Sequence, residues 1–498
     1  MKITPLVPLV AALMLAGCAT ALPELPAQPA PPAQFKEDAR WTTAAPAEAQ
    51  GRGEWWKAFA DPQLDALVQR AAEANTGVRE AAARLAQAKA LVRSANADRL
   101  PQVGLGASVD RAAGANSVAG PAPFTIYQAG VQLAYEPDLF GRASGRRDAA
   151  SLDAVAREAL LQSTRLAVQA ETAQAYLALR ALDVERALVR ETVDAYAGTL
   201  RLTQRRHQAG DVAELDVVRV EAEVAATEAE ALALDRQRAA VEHALAVLVG
   251  EAASDFTIPV SDWKTALPTI PAGVPATVLA RRPDVSAAQS SLLAAQARVG
   301  VAQAAWFPSL VLTGEGGFAS SDLGDLLRWS ARAWSVGALL SLPIFDGGRR
   351  QAGVDDARAQ LDAALASYRG QVLVAFREVE DQLSALRLLH DQSLAQGRAV
   401  DAAGRATTLS DTRYRNGLVS QLELLDARRS ELRNRRQALQ VRSAQFQASV
   451  VLVRALGGGW EPVLRKGEEL PPTELAKATG RSAWMVAPSR ERRAVREE

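Results

Sequence analysis

The sequence predicts a mainly α-helical chain, internally duplicated, in which long helical hairpins carry four membrane β-strands. Three observations lead there. One set of residues recurs 207 positions further along the chain. Apolar and small residues in long proline-free stretches repeat every three and four positions, the spacing of packed helices. Between those stretches the period falls to two, the spacing of strands.

The repeat comes first, because missing it would misassign the fold. Val78, Ala81, Leu85, Ala88, Val92 and Ala95 recur with the same residue types as Val285, Ala288, Leu292, Ala295, Val299 and Ala302. The same offset carries Pro101 to Pro308, Arg206 to Arg413, Gly210 to Gly417, Leu215 to Leu422 and Gly250 to Gly457. Chance does not hold one register from end to end of a unit. Pro259, Pro268, Pro271 and Pro275 mark the linker between the copies.

Each unit reads as a helix, two short strands, a very long helix, a tight turn and another long helix. Arg142 to Arg205 holds no proline in 64 residues, which would reach roughly 95 Å as one helix. After the turn, Leu215, Val218, Ala222, Ala225, Ala229 and Leu232 resume the heptad. Their counterparts are Leu422, Leu425, Arg429, Leu432, Arg436 and Leu439. Arginines on that seam suit a helix with two neighbours and one wet face, although a solvated coiled coil would show the same pattern. Abundant alanine, with aromatic content of only 5%, favours helices packed at close range over one bulky core.

Strands are expected at about 101–112, 126–137, 308–318 and 333–343. Val103, Leu105, Ala107 and Val109 alternate with Gln102, Gly104, Gly106, Ser108 and Asp110. Tyr127, Ala129, Val131, Leu133 and Tyr135 do the same against Gln128, Gly130, Gln132 and Glu136. Leu310 and Leu312 alternate with Ser309, Thr313 and Glu315, and Trp334, Val336, Ala338, Leu340 and Leu342 with Ser335, Gly337 and Ser341. One apolar face and one small or polar face, with aromatics at the ends, fits a membrane barrel. A soluble sheet with one buried face would look similar. Four strands cannot close a barrel, and open edges are not tolerated in lipid. Two copies would supply eight strands, an interior just filled by side chains; a conducting pore therefore prefers three.

The N-terminus sets the compartment. Met1-Lys2 precedes an apolar run from Ile3 to Ala16, shorter than the ~20 residues a spanning helix needs. It ends in Leu15-Ala16-Gly17-Cys18, around the chain's one cysteine. This resembles a bacterial lipobox, which makes Cys18 the lipid attachment site. Ala19 in place of Asp favours, by the same resemblance, the outer membrane. An ordinary signal peptide with an incidental cysteine is the plain alternative.

Composition excludes other classes. Lys and Arg number 57 and Asp and Glu 57, for zero net charge, which removes the electrostatic case for nucleic acid. One cysteine allows no intramolecular disulfide, and His207, His243 and His390 are too scattered for a metal cluster. No nucleophile-elbow, phosphate-loop or zinc-protease motif occurs. No enzyme activity and no cofactor are expected. The cluster Arg428, Arg429, Arg433, Arg435 and Arg436 reads as a solvated face paired locally with Glu423, Asp426 and Glu431.

Longer motifs carry a resemblance. They are Trp55-Trp56-Lys57-Ala58-Phe59-Ala60-Asp61-Pro62, Arg281-Arg282-Pro283-Asp284-Val285, Ala304-Ala305-Trp306-Phe307-Pro308, Tyr135-Glu136-Pro137-Asp138-Leu139-Phe140-Gly141 and Leu342-Pro343-Ile344-Phe345-Asp346-Gly347-Gly348. Over about residues 15–460 the chain resembles the TolC/NodT-type outer-membrane efflux factors, the lipoprotein channels that serve resistance-nodulation-division pumps. The resemblance implies a homotrimer with a 12-stranded barrel in the outer membrane and a 12-helix tunnel across the periplasm. It also implies a periplasmic adaptor (membrane fusion) protein and an inner-membrane pump as partners. The function it implies is passive conduction of drugs, other toxic compounds or metal ions out of a Gram-negative cell. A type I secretion duct for polypeptides would use the same parts. A non-conducting, periplasm-spanning structural lipoprotein is the rival of another class, but it needs no lumen-facing polar row.

The resemblance places the mechanism at the hairpin tips, near 206–212 and 413–419. Tyr414, Glu423 and Asp426 match gate-lining positions; an arginine that some members pair there falls on Val419, leaving Arg415 as a substitute. Arg206, Gly210, Leu215, Arg413, Gly417 and Leu422 are the expected tip and adaptor-docking residues. Read plainly, each glycine serves a helix-to-helix turn, and Asp426 is a surface acid. The expected organisation is a signal peptide at 1–17, a lipidated Pro/Ala-rich leader at 18–54 and repeats at 55–253 and 278–460. A linker at 254–277 joins the repeats, and a tail at 461–498 reads as disordered.

Overall fold

The computed structural model describes residues 23–26, 35–37, 53–113, 122–268, 270 and 281–458. Cys18, most of the leader and the tail lie outside them. Helix α1 (Pro62–Ala74) and helix α2 (Thr76–Ala97) precede strands β1 (Gln102–Ala112) and β2 (Phe124–Tyr135). Helices α3 (Arg142–Gln208) and α4 (Glu214–Leu248) complete the first half. The second half holds α5 (Pro283–Ala304), β3 (Ser309–Ser320), β4 (Arg332–Ser341), α6 (Arg349–Arg415) and α7 (Gln421–Ala455). Helices α5, α6 and α7 begin and end 207 residues after α2, α3 and α4. Strand β2 starts and ends two residues before the expected 126–137, because Pro137 cannot donate to a ladder.

The duplication extends to contacts. Asn75 caps α2 by accepting from the N–H of Gly77 (2.9 Å) and Val78 (3.3 Å), while its Nδ2 donates to the Leu248 carbonyl at 2.9 Å. At the duplicate position, Arg282 Nη1 donates to the Ala455 carbonyl at 2.9 Å. Gly250 (φ +77°) and Gly457 (φ +89°) end α4 and α7 in the left-handed region. A Cβ on either would stand 2.7 Å from a carbonyl oxygen, Ala74 in one half and Arg281 in the other. Both sites need glycine for the same two reasons, backbone angle and room.

The four strands form one antiparallel sheet in the order β1-β2-β3-β4. Gln102 pairs with Ala134 in the first hairpin and Ser309 with Ser341 in the second, so both hairpins keep one register under the repeat. Strands β2 and β3 join the halves, with Tyr127 opposite Ser320 and Tyr135 opposite Leu312. Within the chain, β1 and β4 are free edges.

The main core forms a collar midway along the hairpins. Trp55, Trp56 and Phe59 pack with Leu64 and Val68 of α1, Tyr176 and Leu177 of α3, Leu245 of α4, and Phe446 of α7. Inside it lies a buried polar network. Arg180, 1% exposed, donates to Asp183 (3.0 Å), the Pro259 carbonyl (2.9 Å), Gln63 (2.5 Å) and the Tyr176 hydroxyl (3.1 Å). Tyr176 and Thr265 donate in turn to Asp61, at 2.9 and 2.7 Å. Burial pushes the Tyr176 hydroxyl up to about 12, so it stays a proton donor to that carboxylate. The network ties the start of α1 to the segment after α4.

The described leader residues dock on the second half. Phe35 is buried against Val379, Leu383 and Leu386 of α6 and Leu452 of α7. The N–H groups of Lys36 (2.7 Å) and Glu37 (3.1 Å) donate to Glu380. Close helix packing follows from small residues, as the alanine content implies. A Cβ on Gly145 of α3 would stand 2.8 Å from Val301 of α5.

Candidate conducting face and hairpin tips

The sheet has two unlike faces. Register places Leu105 beside Val131, Val131 beside Gly316 and Gly316 beside Trp334 on the apolar one. On the other, Gly104 neighbours Gln132, Gln132 neighbours Glu315, and Glu315 neighbours Ser335. Val103, Leu105, Val109, Trp334, Val336 and Leu340 are all more than 60% exposed in the single chain, a cost in water and a fit to lipid. The polar face carries a row of Gly106, Gly130 and Gly317. A Cβ on Gly317 would lie 2.3 Å from the Ala129 carbonyl oxygen. This close approach lets the sheet curve toward its polar side.

Two acids anchor the sheet to the helices. Asp138 accepts from the N–H of Ala143 (2.9 Å) and Ser144 (2.7 Å) at the start of α3. Burial works against its charge, but the Ser144 and Ala143 hydrogen bonds outweigh that and hold the carboxyl below its ordinary value. Asp346 accepts from Arg350 Nε at 2.7 Å and from the Gly348 N–H at 3.0 Å. The Phe140 and Phe307 rings stack at 5.0 Å where the two halves meet. Below this junction α3 and α6 each run 67 residues, about 100 Å of helix.

Both tips are glycine-capped reversals. At the first, the Gly210 N–H donates to His207 (2.9 Å) and that of Asp211 to Arg206 (2.8 Å). At the second, Gly417 donates to Tyr414 (3.0 Å) and Leu418 to Arg413 (2.8 Å). Their φ values are +84° and +71°, with open space around both glycines. Leu215, Leu418 and Leu422 are 58%, 67% and 49% exposed.

Tyr414, 3% exposed, is packed inside its own chain. Its hydroxyl lies 3.3 Å from Thr203 Oγ1, and the Arg206 guanidinium sits 4.8 Å from its ring centre. Arg206 also donates to the carbonyls of Tyr414 (3.5 Å) and Arg415 (3.4 Å). Arg415 turns to Asp411 of its own helix at 2.8 Å. Glu423 stands 3.9 Å from Arg413, and Asp426, 63% exposed, lies 3.4 Å from Arg429.

One expectation needs correction. The arginine cluster is not paired only locally. Arg428 donates to the Ala195 carbonyl (2.7 Å) and Thr199 (2.6 Å), and pairs with Asp411 (3.0 Å). Arg429 bonds Glu223, and Arg436 bonds Glu230 and Glu185. Glu223 and Glu230 lie one heptad apart on α4, as Arg429 and Arg436 do on α7, so the pairs form a ladder. The heptad positions on α4 are open in the single chain. Val220, Thr227 and Leu234 face inward, whereas Leu215, Val218 and Leu232 are exposed. Thr203 went unsingled by sequence reasoning, its only signal being a hydroxyl on a buried helix face, and Arg428 was read only as part of a solvated cluster.

The model of outer membrane efflux proteins matches residues 67–251 and 274–458, two spans that are themselves offset by 207 at both ends. The chain belongs to the outer membrane efflux protein family. It is 34% identical to the outer membrane protein OprJ of Pseudomonas aeruginosa over 467 residues, 91% of this chain and 95% of that one. It is 33% identical over 465 residues to SrpC, a solvent efflux pump outer membrane protein of Pseudomonas putida, covering 91% and 98% of the two chains. Among solved structures, the outer-membrane channel OprN superposes with a TM-score of 0.83 at 33% identity, over 89% of this chain and all of that one. The two-faced sheet and long hairpins are thus those of an outer-membrane efflux channel, and the protein works in the outer membrane.

Proposed function

We propose that this outer membrane efflux protein is the passive exit duct of a tripartite system, taking small toxic molecules from an inner-membrane resistance-nodulation-division pump through a periplasmic adaptor. The observation that carries this is that strands of the two-faced sheet, β2 and β4, lead into helices of 67 residues each, about 100 Å long, which joins a membrane-sized strand set to a periplasm-sized tunnel. Three copies close a 12-stranded barrel and leave a wet lumen. A lipid on Cys18 anchors the chain to the outer membrane. No catalytic step is required, since the pump supplies the energy. SrpC is named for solvent efflux, and apolar solvents or drugs are the cargo class proposed here.

The tips form the closed end. Arg206 on Tyr414 and the Thr203 hydroxyl hold the second hairpin against the first. Glu423 and Asp426, repeated in each copy around a narrow mouth, repel one another unless Arg413 and Arg429 neutralise them, and favour cations once the mouth hydrates. The exposed Leu215 and Leu422, beside Arg206, Gly210, Arg413 and Gly417, form the adaptor-docking rim.

Conductance of the purified protein in planar bilayers tests this reading. Small, discrete steps are expected from the closed wild type, and larger ones after removal of the Arg206 guanidinium. Bilayers that stay silent with both proteins would remove the duct assignment.

A further inference from the structure

We propose that the lipid-facing rim of the sheet, at Arg332 and Trp329, binds the phosphate of an anionic lipid headgroup in the outer leaflet. This rests on the duct reading above in one respect, that the helices lie in the periplasm. The connections 113–123 and 321–331, at the strand ends remote from the helices, are then on the outside of the cell.

The two connections are of equal length but unlike chemistry. The first holds no leucine, tryptophan or arginine, whereas the second holds Leu323, Leu326, Leu327, Arg328 and Trp329. The second is ordered into two short 3-10 turns, Leu323–Asp325 and Trp329–Ala331. Even so, Leu323, Leu327 and Trp329 are 63%, 77% and 74% exposed. Large apolar side chains displayed this way are costly in water and suit the headgroup boundary of a bilayer, where tryptophan concentrates.

Arg332 fixes the side and the height of the second 3-10 turn. It opposes Phe318 across the second hairpin, two residues from the pair of Gly316 with Trp334, so its side chain leaves the sheet on the apolar face. Its guanidinium lies 4.5 Å from the Trp329 ring centre, which places that turn against the outside of the wall and not over the lumen. From Arg332 to Leu340 is eight residues of β4, about 27 Å along the strand and about 20 Å along the membrane normal at a tilt of ~40°. Trp334, Val336, Ala338 and Leu340 fill that span with apolar side chains. Arg332 therefore stands where hydrocarbon gives way to headgroups.

Its charge is available. Arg328 is taken by Asp325 at 3.0 Å, and Asp322 accepts from the Gly324 N–H at 2.8 Å. Asp110 and Glu315 fall on the polar face, away from it. Among the described residues Arg332 has no acidic partner. Nor does Arg111, which opposes Thr125 on the matching rung of the first hairpin. A guanidinium laid on tryptophan keeps its N–H edge free, and that edge is the fork that fits phosphate. Cations alone would suit any anion; flanked by Leu327 and Trp329 at this height, they suit a phosphate with acyl chains beneath it.

Native mass spectrometry of the full-length protein in detergent counts bound lipid and so tests the site. The probes are lipid A with its phosphates, the same glycolipid dephosphorylated, and inorganic phosphate. The phosphorylated form is expected to bind the wild type at least ~10-fold more tightly than the dephosphorylated one. Arg332→Gln and Trp329→Ala are each expected to weaken it about fivefold or more, and Arg332→Lys, which keeps the charge but not the fork, by less than Arg332→Gln. Conductance of these variants in planar bilayers is expected to match wild type, which verifies that they fold. Equal binding of the two lipid forms, or an Arg332→Gln protein that binds as well as wild type, overturns the lipid site and leaves the duct intact. Inorganic phosphate bound as tightly as the lipid assigns Arg332 to a free anion and also overturns it. Bilayers silent with the wild type remove the duct reading, a result independent of the lipid count.

Discussion

The guanidinium of Arg206 lies 4.8 Å from the ring centre of Tyr414, bridging the two hairpin tips of one chain. A cation over a desolvated ring contributes about 1–2 kcal/mol, and the Thr203–Tyr414 hydrogen bond about 1 more. Arg206→Ala should therefore shift the closed-to-open balance by roughly tenfold and raise conductance. Tyr414→Phe, which keeps the ring and loses the hydroxyl, should act in the same direction by about fivefold. Two variants with wild-type conductance would exclude Tyr414 from closure.

The ladder of Arg429 with Glu223 and Arg436 with Glu230 is partly exposed, so each rung contributes only about 0–1 kcal/mol and is screened by salt. Raising ionic strength should speed hydrogen exchange at α4 amides around Glu223 in the wild type. In the double variant Arg429→Gln with Arg436→Gln, exchange should already be fast and no longer respond to salt. Exchange that responds equally in both proteins would contradict the ladder.

The buried network around Arg180 should be far less forgiving. Asp183 receives Arg180 and Arg238, at 3.0 and 2.9 Å. Asp183→Ala leaves buried positive charge unpaired and should destabilise the collar by about 3–5 kcal/mol, read as a fall in thermal midpoint. A midpoint within a degree of wild type would show that solvent reaches Arg180.

Gly250→Ala and Gly457→Ala should cost about the same, roughly 1–3 kcal/mol each, because both combine a left-handed backbone with a carbonyl 2.7 Å from the new Cβ. Gly210→Ala carries only the backbone penalty of about 1–2 kcal/mol, since nothing lies within 4 Å. Denaturant midpoints rank the three. A Gly210 variant as damaged as the other two would contradict that separation.

Acid should loosen the hairpins in a defined direction. Burial opposes the charge of Asp235, but hydrogen bonds and attraction from Arg186 and Arg190 prevail and hold its carboxyl below its usual value. A depressed folded-state value adds stability that is complete above the unfolded value, near pH 4, and is lost as pH falls through the folded one. Asp235→Asn should thus be less stable than wild type at pH 7 and converge with it in strong acid. Parallel stability curves across that range would contradict the assignment.

Much of the architecture was legible because the duplication is strict: the residue types Val78 to Ala95 and Gly210 foretold their counterparts and the hairpin turns. Strand faces were legible because alternation has only two phases. The tip contacts were not. Arg206 and Tyr414 lie 208 residues apart, and nothing local requires them to meet. The arginine cluster was misread for a related reason. Acids three and four residues away offered sufficient partners, while Glu223 and Glu230 lie 206 residues distant. The stripe at Leu215 and Leu232 was recognised as a packing face, yet a single sequence cannot tell a face covered by its own chain from one covered by another.

The mass of the detergent-solubilised particle, corrected for bound detergent, tests the central claim most directly. The account predicts three copies, near three times the 52.9 kDa chain less its signal peptide. A folded monomer would leave β1 and β4 as open edges in lipid and contradict the duct.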